Sequence, residues 1–446
     1  MKKNVYAALL SFLIYSCSSS DDDKNTIIDP SFLGEIEWIK TFGGTNEDTA
    51  QGIIKTSDGG YAIIGYTNSI DGDIVDKTLQ ENDFWVLKLD NDGNIQWNKT
   101  YGGSGDDIGQ DIIQTIDGGY AVTGYSMSAD GDASNNEGFH DNWVIKLNAS
   151  GDIEWEKSFG FAGHDHAYGI LQTADGGYFV SGFIDVTGSN GAGNSGKSSL
   201  TAHGVGEFWA NKLDVNGNLE WRRFFGGTNN DRAFGVVQAN DGSFVMVGAS
   251  ESQDFDISNS NGSYDFWIIK VSSRGDLVWE QTFGGSGIDI AQSITKTTDN
   301  NYLVVGKANS TNGDITNNKG DSDVWVVKVS DSGKLLWERN YGGADFEDAE
   351  SIINTSDGNY IITGNSRSNN SDLSENFGEN DIWAIKTDDD GTILWEKSFG
   401  GSGIDLGFDA VETDEGSIII VGETASNNNH INENKGLKDL VIIKIK

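Results

Sequence analysis

Apolar and polar positions alternate with a period of two through residues 82–103, NDFWVLKLDNDGNIQWNKTYGG. Trp85, Leu87 and Leu89 keep one phase, and Ile95, Trp97, Lys99 and Tyr101 keep another. That is the signature of pleated strands, whose successive side chains point to opposite faces. Asn91-Asp92-Gly93-Asn94 separates the two runs, and the glycine supplies the positive φ that a tight turn needs. The stretch predicts a β-hairpin, and the same hairpin returns along the chain.

The repeating units begin at Gly34, Gly93, Gly151, Gly217, Gly275, Gly333 and Gly391, with a spacing of 58 residues in four of them and eight extra residues in the third. The shared pattern is G-x-I-x-W-x-K-x-F-G-G, a short acidic stretch, A-x-x-I-I-x-T-x-D-G-G-Y-x-I-x-G, a polar loop, and D-x-W-V-I-K-L. Each unit holds four strand-like runs; in the second copy these are predicted near residues 111–115, 120–125, 142–147 and 153–159. Four short antiparallel strands repeated seven times predict an all-β fold, a seven-bladed β-propeller of four-stranded antiparallel blades. The repeat phase also predicts how the ring shuts. The chain enters on a run, residues 35–42, that elsewhere ends a blade, and it finishes on residues 440–446, elsewhere the third strand. The first run therefore completes the last blade beside the final one, which removes free sheet edges.

Residues 34–446 resemble the tandem repeats of bacterial secreted β-propellers, and the hairpin D-x-x-G-x-x-x-W resembles the tryptophan motif of quinoprotein-like propellers. All 13 tryptophans fall on two repeated positions. Trp38, Trp97, Trp155, Trp221, Trp279, Trp337 and Trp395 occupy one; Trp85, Trp143, Trp209, Trp267, Trp325 and Trp383 occupy the other, where the last copy has Leu440. A side chain present in every copy reads as packing between blades.

Composition narrows the function. Of 446 residues, 59 are Gly and only one is Pro, and the formal net charge is −39. The lack of a Gly-X-Y period excludes collagen. The acid excess excludes a nucleic-acid partner, which needs a basic footprint. One cysteine excludes an intrachain disulfide framework.

That cysteine sits at an informative place. Residues 1–16 place Lys2 and Lys3 before an apolar run too short to span a membrane, as in a secretory signal peptide. The run ends in Ile14-Tyr15-Ser16-Cys17, which resembles a bacterial lipobox. The following Ser18-Ser19-Ser20-Asp21-Asp22-Asp23 resembles the Ser/Asp-rich export signal of surface lipoproteins in Bacteroidetes-type bacteria. The resemblance implies lipidation of Cys17, a tether over residues 17–33, and an outer-membrane, cell-surface location with the lipid as the membrane contact.

Several features carry candidate chemistry. Residues 191–198 match G-x-x-x-x-G-K-S but lie in the inserted loop of the third copy, without the strand–loop–helix context that a phosphate loop needs, so a plain loop is expected. A carboxylate follows each G-G pair (Asp48, Asp107, Asp165, Asp231, Asp289, Glu347 and Asp405), and a backbone cap is preferred to a cation ring. The long loops carry Asp73, Asp132, Asp256, Asp314 and Asp372, with His430 in the last copy, and calcium is a possible ligand there. Four of the five histidines fall in adjacent blades. The phase brings His140, His164, His166 and His203 to one face with Asp165, a candidate transition-metal site. There is no G-x-S-x-G elbow and no reactive cysteine.

The expectation is a surface lipoprotein whose propeller is a non-catalytic binding or scaffold module for a glycan, a peptide or an envelope protein on the long-loop face. An extracellular polysaccharide lyase or hydrolase, or a quinone-dependent dehydrogenase, are the alternatives. Fold does not decide among them.

Overall fold

In the computed structural model, residues 32–195 and 203–446 are described. They form seven four-stranded antiparallel sheets arranged as the blades of a propeller. Blades 1–6 span residues 48–101, 107–159, 166–225, 231–283, 289–341 and 347–399. Blade 7 contains Asp405–Glu412, Ile418–Thr424 and Asp439–Ile445, and its outer strand is Ile36–Phe42 from the start of the chain. The ring therefore shuts as the repeat phase predicts. Ile36 pairs with Ile445 and Phe42 with Leu440, and the amides of Glu35 and Lys446 exchange backbone hydrogen bonds of 2.9 and 3.0 Å. Cys17 and the tether up to residue 31 lie outside the described residues, whereas its last two residues, Phe32 and Leu33, lie against Trp395.

The innermost strands differ from expectation at their start. In blade 2 the strand is Asp107–Gln114, four residues longer at its beginning than the alternation indicates. The register shifts between Gly109 and Asp111, leaving Gln110 as an extra residue. Such a bulge inserts one residue, breaks the period of two and bends the strand. The same shift recurs in every blade, so the residues at Gln51, Gln110, Tyr168, Phe234, Gln292, Glu350 and Phe408 line a central cavity of about 270 Å³.

Both tryptophan positions pack blade against blade. The third-strand set is fully buried, and Phe84, Phe208 and Phe266 meet Trp143, Trp267 and Trp325 of the next blade at 4.4–4.8 Å. The outer-strand set lies on the turn glycine of the following unit: Trp38 on Gly93, Trp97 on Gly151 and Trp395 on Gly34. These glycines have φ of 65–77° and leave no space for a Cβ beside the indole, so backbone strain and a steric clash both select glycine there.

One position exposes an unfinished contact. Trp143, Trp267, Trp325 and Trp383 each donate an indole N–H to a glutamate on the outer strand, Glu156, Glu280, Glu338 and Glu396, at 3.0–3.2 Å. In blade 1 the equivalent residue is Asn98, and the buried Trp85 Nε1 has no partner. Asn98→Glu is expected to supply the acceptor and raise stability by about 1 kcal/mol. Chemical denaturation checks it, and an unchanged midpoint would mean that Trp85 is satisfied otherwise.

Candidate functional site

The face where outer strands cross to the next innermost strand is built from short caps. In blade 1, Asp48 Oδ2 accepts the amide of Gly44 at 2.7 Å and the hydroxyl of Ser69 at 2.9 Å, while Oδ1 accepts the Thr67 hydroxyl. Asp107, Asp289 and Asp405 repeat this arrangement with local hydroxyls. The long-loop acids share one task, and Asp73 and Asp372 also take an ion pair from Lys435 and Lys319. Asp73, Asp132, Asp256, Asp314 and Asp372 accept the amide of the first glycine of the G-G pair at 3.0–3.3 Å. In blade 7, His430 Nδ1 accepts the Gly400 amide at 3.3 Å, so the position requires an acceptor and not a charge.

Against this repeated framework, one junction stands out. His164 ends the crossing from blade 2 to blade 3, His166 opens the innermost strand His166–Gln172, and His140 precedes Asp141–Leu147. A parallel bridge joins His140 to His164, stitched by the Asp165 amide donating to the His140 carbonyl at 2.8 Å. His164 Nδ1 lies 2.9 Å from His140 Nδ1, and His166 Nε2 lies 3.0 Å from the same atom. One nitrogen from each ring falls within 4.8 Å of the others.

The surroundings hold the rings in place. Tyr125 stacks on His166 at 3.8 Å, Phe183 covers it at 4.7 Å, and the Tyr168 hydroxyl lies 3.2 Å from His166 Nδ1. Phe139 meets His164 at 5.1 Å. The Arg232 guanidinium lies over Phe183 at 4.6 Å. Burial, then the neighbouring His140 and His164, push His166 down to about 3, and burial followed by His164 lowers His140. Both rings are therefore neutral at physiological pH, the form that ligates metals.

Two of the expected ligands are placed elsewhere. Asp165 is fully buried and turned away from the rings: Oδ2 accepts the Phe161 amide at 2.7 Å and Oδ1 the Asp185 amide at 2.8 Å. It is the cap of this crossing, between two histidines that share the opposite side of an extended chain. His203 belongs to the next junction. It stacks on Phe255 at 4.7 Å and faces Glu207 at 3.6 Å, while the Gly204 amide is tied to the Gly227 carbonyl of the blade 4 crossing. Gly204 and Gly206, just before Glu207, bond to the crossing that leads into blade 4, and this holds His203 at that junction and away from His164. Residues 191–195 also have a structural task, since the Gly193 carbonyl accepts the Trp209 indole N–H at 3.1 Å; the rest of that G-x-x-x-x-G-K-S match lies outside the described residues.

No protein-family model and no curated protein matches the chain. Among solved structures it is similar to the WD40 domain of Neurospora crassa Pan2, with a TM-score of 0.50 at 9% identity over 92% of this chain and 97% of that one. It is also similar to BamB from Moraxella catarrhalis, with a TM-score of 0.42 at 12% identity over 90% and 99% of the two chains. A protein of unknown function from Bacteroides caccae gives a TM-score of 0.36 at 12% identity over 62% and 78%. At these identities the likeness concerns the propeller fold.

Proposed function

We propose that this chain is a surface-anchored, non-catalytic binding module. Its lipidated Cys17 and acidic tether hold the propeller off an outer membrane, and the mouth of the central channel contacts a glycan, a peptide or an envelope protein. The observation that carries this reading is where the copies differ. Caps, tryptophans and turn glycines repeat, whereas the residue that follows the capping carboxylate at the start of the innermost strand is Thr49, Ile108, His166, Arg232, Ile290, Asp348 or Leu406 according to the blade. A ring kept uniform for folding but varied at its mouth presents an asymmetric surface, as recognition of an asymmetric partner requires. The mouth also carries exposed or half-buried rings, among them Phe139 at 60% exposure, beside polar groups, a mixture suited to stacking and hydrogen bonding.

The test is a glycan-array and pull-down screen with the propeller lacking the tether. A ligand recovered this way is expected to lose at least about tenfold in affinity with Phe139→Ala or Arg232→Ala. Undiminished binding by both variants would move the contact surface away from the mouth. Mass spectrometry of the mature N-terminus tests the anchor, and an unmodified Cys17 would remove it.

A further inference from the structure

We propose that His140, His164 and His166 form a three-histidine centre for one divalent transition metal, zinc foremost, with a fourth position open to solvent at the channel mouth. It goes beyond the binding reading and stands without it.

The repeat supplies an internal control. The three histidines occupy three different repeat positions. At the His164 position the other blades have Glu47, Asp106, Asn230, Ile288, Phe346 and Ile404. At the His140 position they have Asn82, Gly206, Tyr264, Ser322, Asn380 and Lys438, and at the His166 position none has histidine. Folding therefore needs no imidazole at any of these places, yet all three are imidazoles at one junction.

The nitrogen chemistry points the same way. Neutral imidazole has one N–H and one lone pair. When His166 Nδ1 donates to the Tyr168 hydroxyl, its Nε2 presents a lone pair towards His140 Nδ1. That atom also faces His164 Nδ1, and a single N–H cannot be directed well at two acceptors in different directions. A cation between the rings satisfies all three lone pairs. Zinc–imidazole bonds of about 2.0–2.1 Å put two nitrogens of a tetrahedral site about 3.3 Å apart, close to two of the separations, 2.9 and 3.0 Å; the third pair lies within 4.8 Å, so the exposed His164 ring has to swing inward when the metal binds.

The tyrosine hydroxyl on the far nitrogen is the kind of outer contact that fixes the tautomer of a ligating histidine. Three imidazole nitrogen donors with no carboxylate among them favour zinc, copper, nickel or cobalt over calcium and magnesium. Three protein ligands leave the fourth position to water or to a donor group of an incoming ligand, and the exposed His164 places that position at the rim.

The experiment uses full-length protein stripped of metal with a chelator, titrated with zinc chloride in a large excess of calcium and magnesium. The excess suppresses adventitious binding to the acidic surface. One equivalent is expected to bind with a Kd below about 1 µM. Cobalt(II) in its place is expected to give the intense visible bands of a tetrahedral site. The exposed His164→Gln and the half-buried His140→Ala are each expected to weaken zinc by about 10²-fold, Tyr168→Phe by about tenfold, and His203→Ala not at all. A circular dichroism melt checks that each variant is folded. No binding of one equivalent, or equal affinity in folded His140→Ala and His164→Gln, would overturn the proposal.

Discussion

A chain that starts at Gly43, and so lacks the strand Ile36–Phe42 together with Leu33 and Gly34 before it, is expected to lose its cooperative unfolding transition and to aggregate. A circular permutant that keeps this strand is expected to fold normally. Removing the strand exposes the backbone edge of Asp439–Ile445, a fully buried and almost wholly aliphatic run, and such an edge templates association with other chains. It also takes away Trp38 and Phe42, which pack on the core between blades 7 and 1, and leaves Trp395 without Gly34 and without the Leu33 carbonyl that accepts its indole N–H at 3.1 Å. The loss is several apolar side chains and one whole ladder, well beyond the 5–15 kcal/mol that typically separates folded from unfolded domains.

The permutant follows from the register. Within blade 1 the amide of Asp90 donates to the carbonyl of Asn94, with three residues between them, and Lys446 and Glu35 stand in the same relation. Joining Lys446 directly to Phe32 places Phe32, Leu33 and Gly34 where Asn91, Asp92 and Gly93 lie in that turn. Gly34 already has the positive φ required, at 65° against 70° for Gly93. Opening the chain between Asn91 and Asp92 should then leave stability within about 2 kcal/mol of the parent, since only an exposed turn is exchanged. Urea denaturation of both proteins decides the matter: a stable deletion chain, or an unfolded permutant, would show that closure does not depend on this strand pairing.

Much of this architecture was legible because the fold is written seven times. Repetition made the tryptophans identifiable as packing residues, and the phase of the first and last runs disclosed the closure. The innermost strands were harder, because the bulge at Gln110 and its equivalents breaks the alternation from which strand starts are read. The candidate site was legible by face but not by direction. His164, Asp165 and His166 are consecutive, so their face follows from the repeat. Which side chains turn together follows only from the extended chain, which puts His164 with His166 and sends Asp165 to its own cap. His203 carried a subtler signal: its loop pairs with the crossing of the next blade, a relation visible only once blades are assembled. Tyr125, Tyr168, Phe183 and Arg232 escaped notice for a related reason, since they occupy positions whose common purpose, lining the mouth, becomes apparent when the copies are superposed.

Melting is expected at a temperature roughly 5–10 °C higher at pH 5 than at pH 8. The cause is a carboxylate pair repeated at most blade junctions. Asp323, first residue of a third strand, and Glu347, first residue of the next innermost strand, both converge on Gly342, where an added Cβ would lie 2.4 Å from one carboxylate and 2.8 Å from the other. Asp323 Oδ2 accepts the Lys319 amide at 2.7 Å, but its buried Oδ1 has no hydrogen-bond partner. Burial first, and then the nearby Glu347 charge, raise Asp323 from its ordinary 3.8 to about 6. Asp83, Asp141, Asp381 and Asp439 are raised to about 6 as well, with burial the largest cause in each.

A group raised in the folded state stabilises fully below its unfolded pKa near 4, and that stabilisation is lost as pH rises through about 6. The opposing set, Asp58, Asp117, Asp175 and Asp241, is lowered to about 2. Its contribution persists above pH 4 and is lost only in stronger acid, and these solvent-facing pairs contribute little. The two sets together put the optimum near pH 4–5. A melting temperature that is flat or rising from pH 5 to pH 8 would contradict this account. Asp323→Asn separates the local effect from the general relief of a −39 charge. Its carbonyl keeps the bond from Lys319 and its amide turns a donor towards Glu347, so the variant is expected to be more stable than the parent at pH 8 by about 1–2 kcal/mol and to show a shallower pH slope. The exposed Asp92→Asn, with the same change in charge, is expected to leave both unaltered.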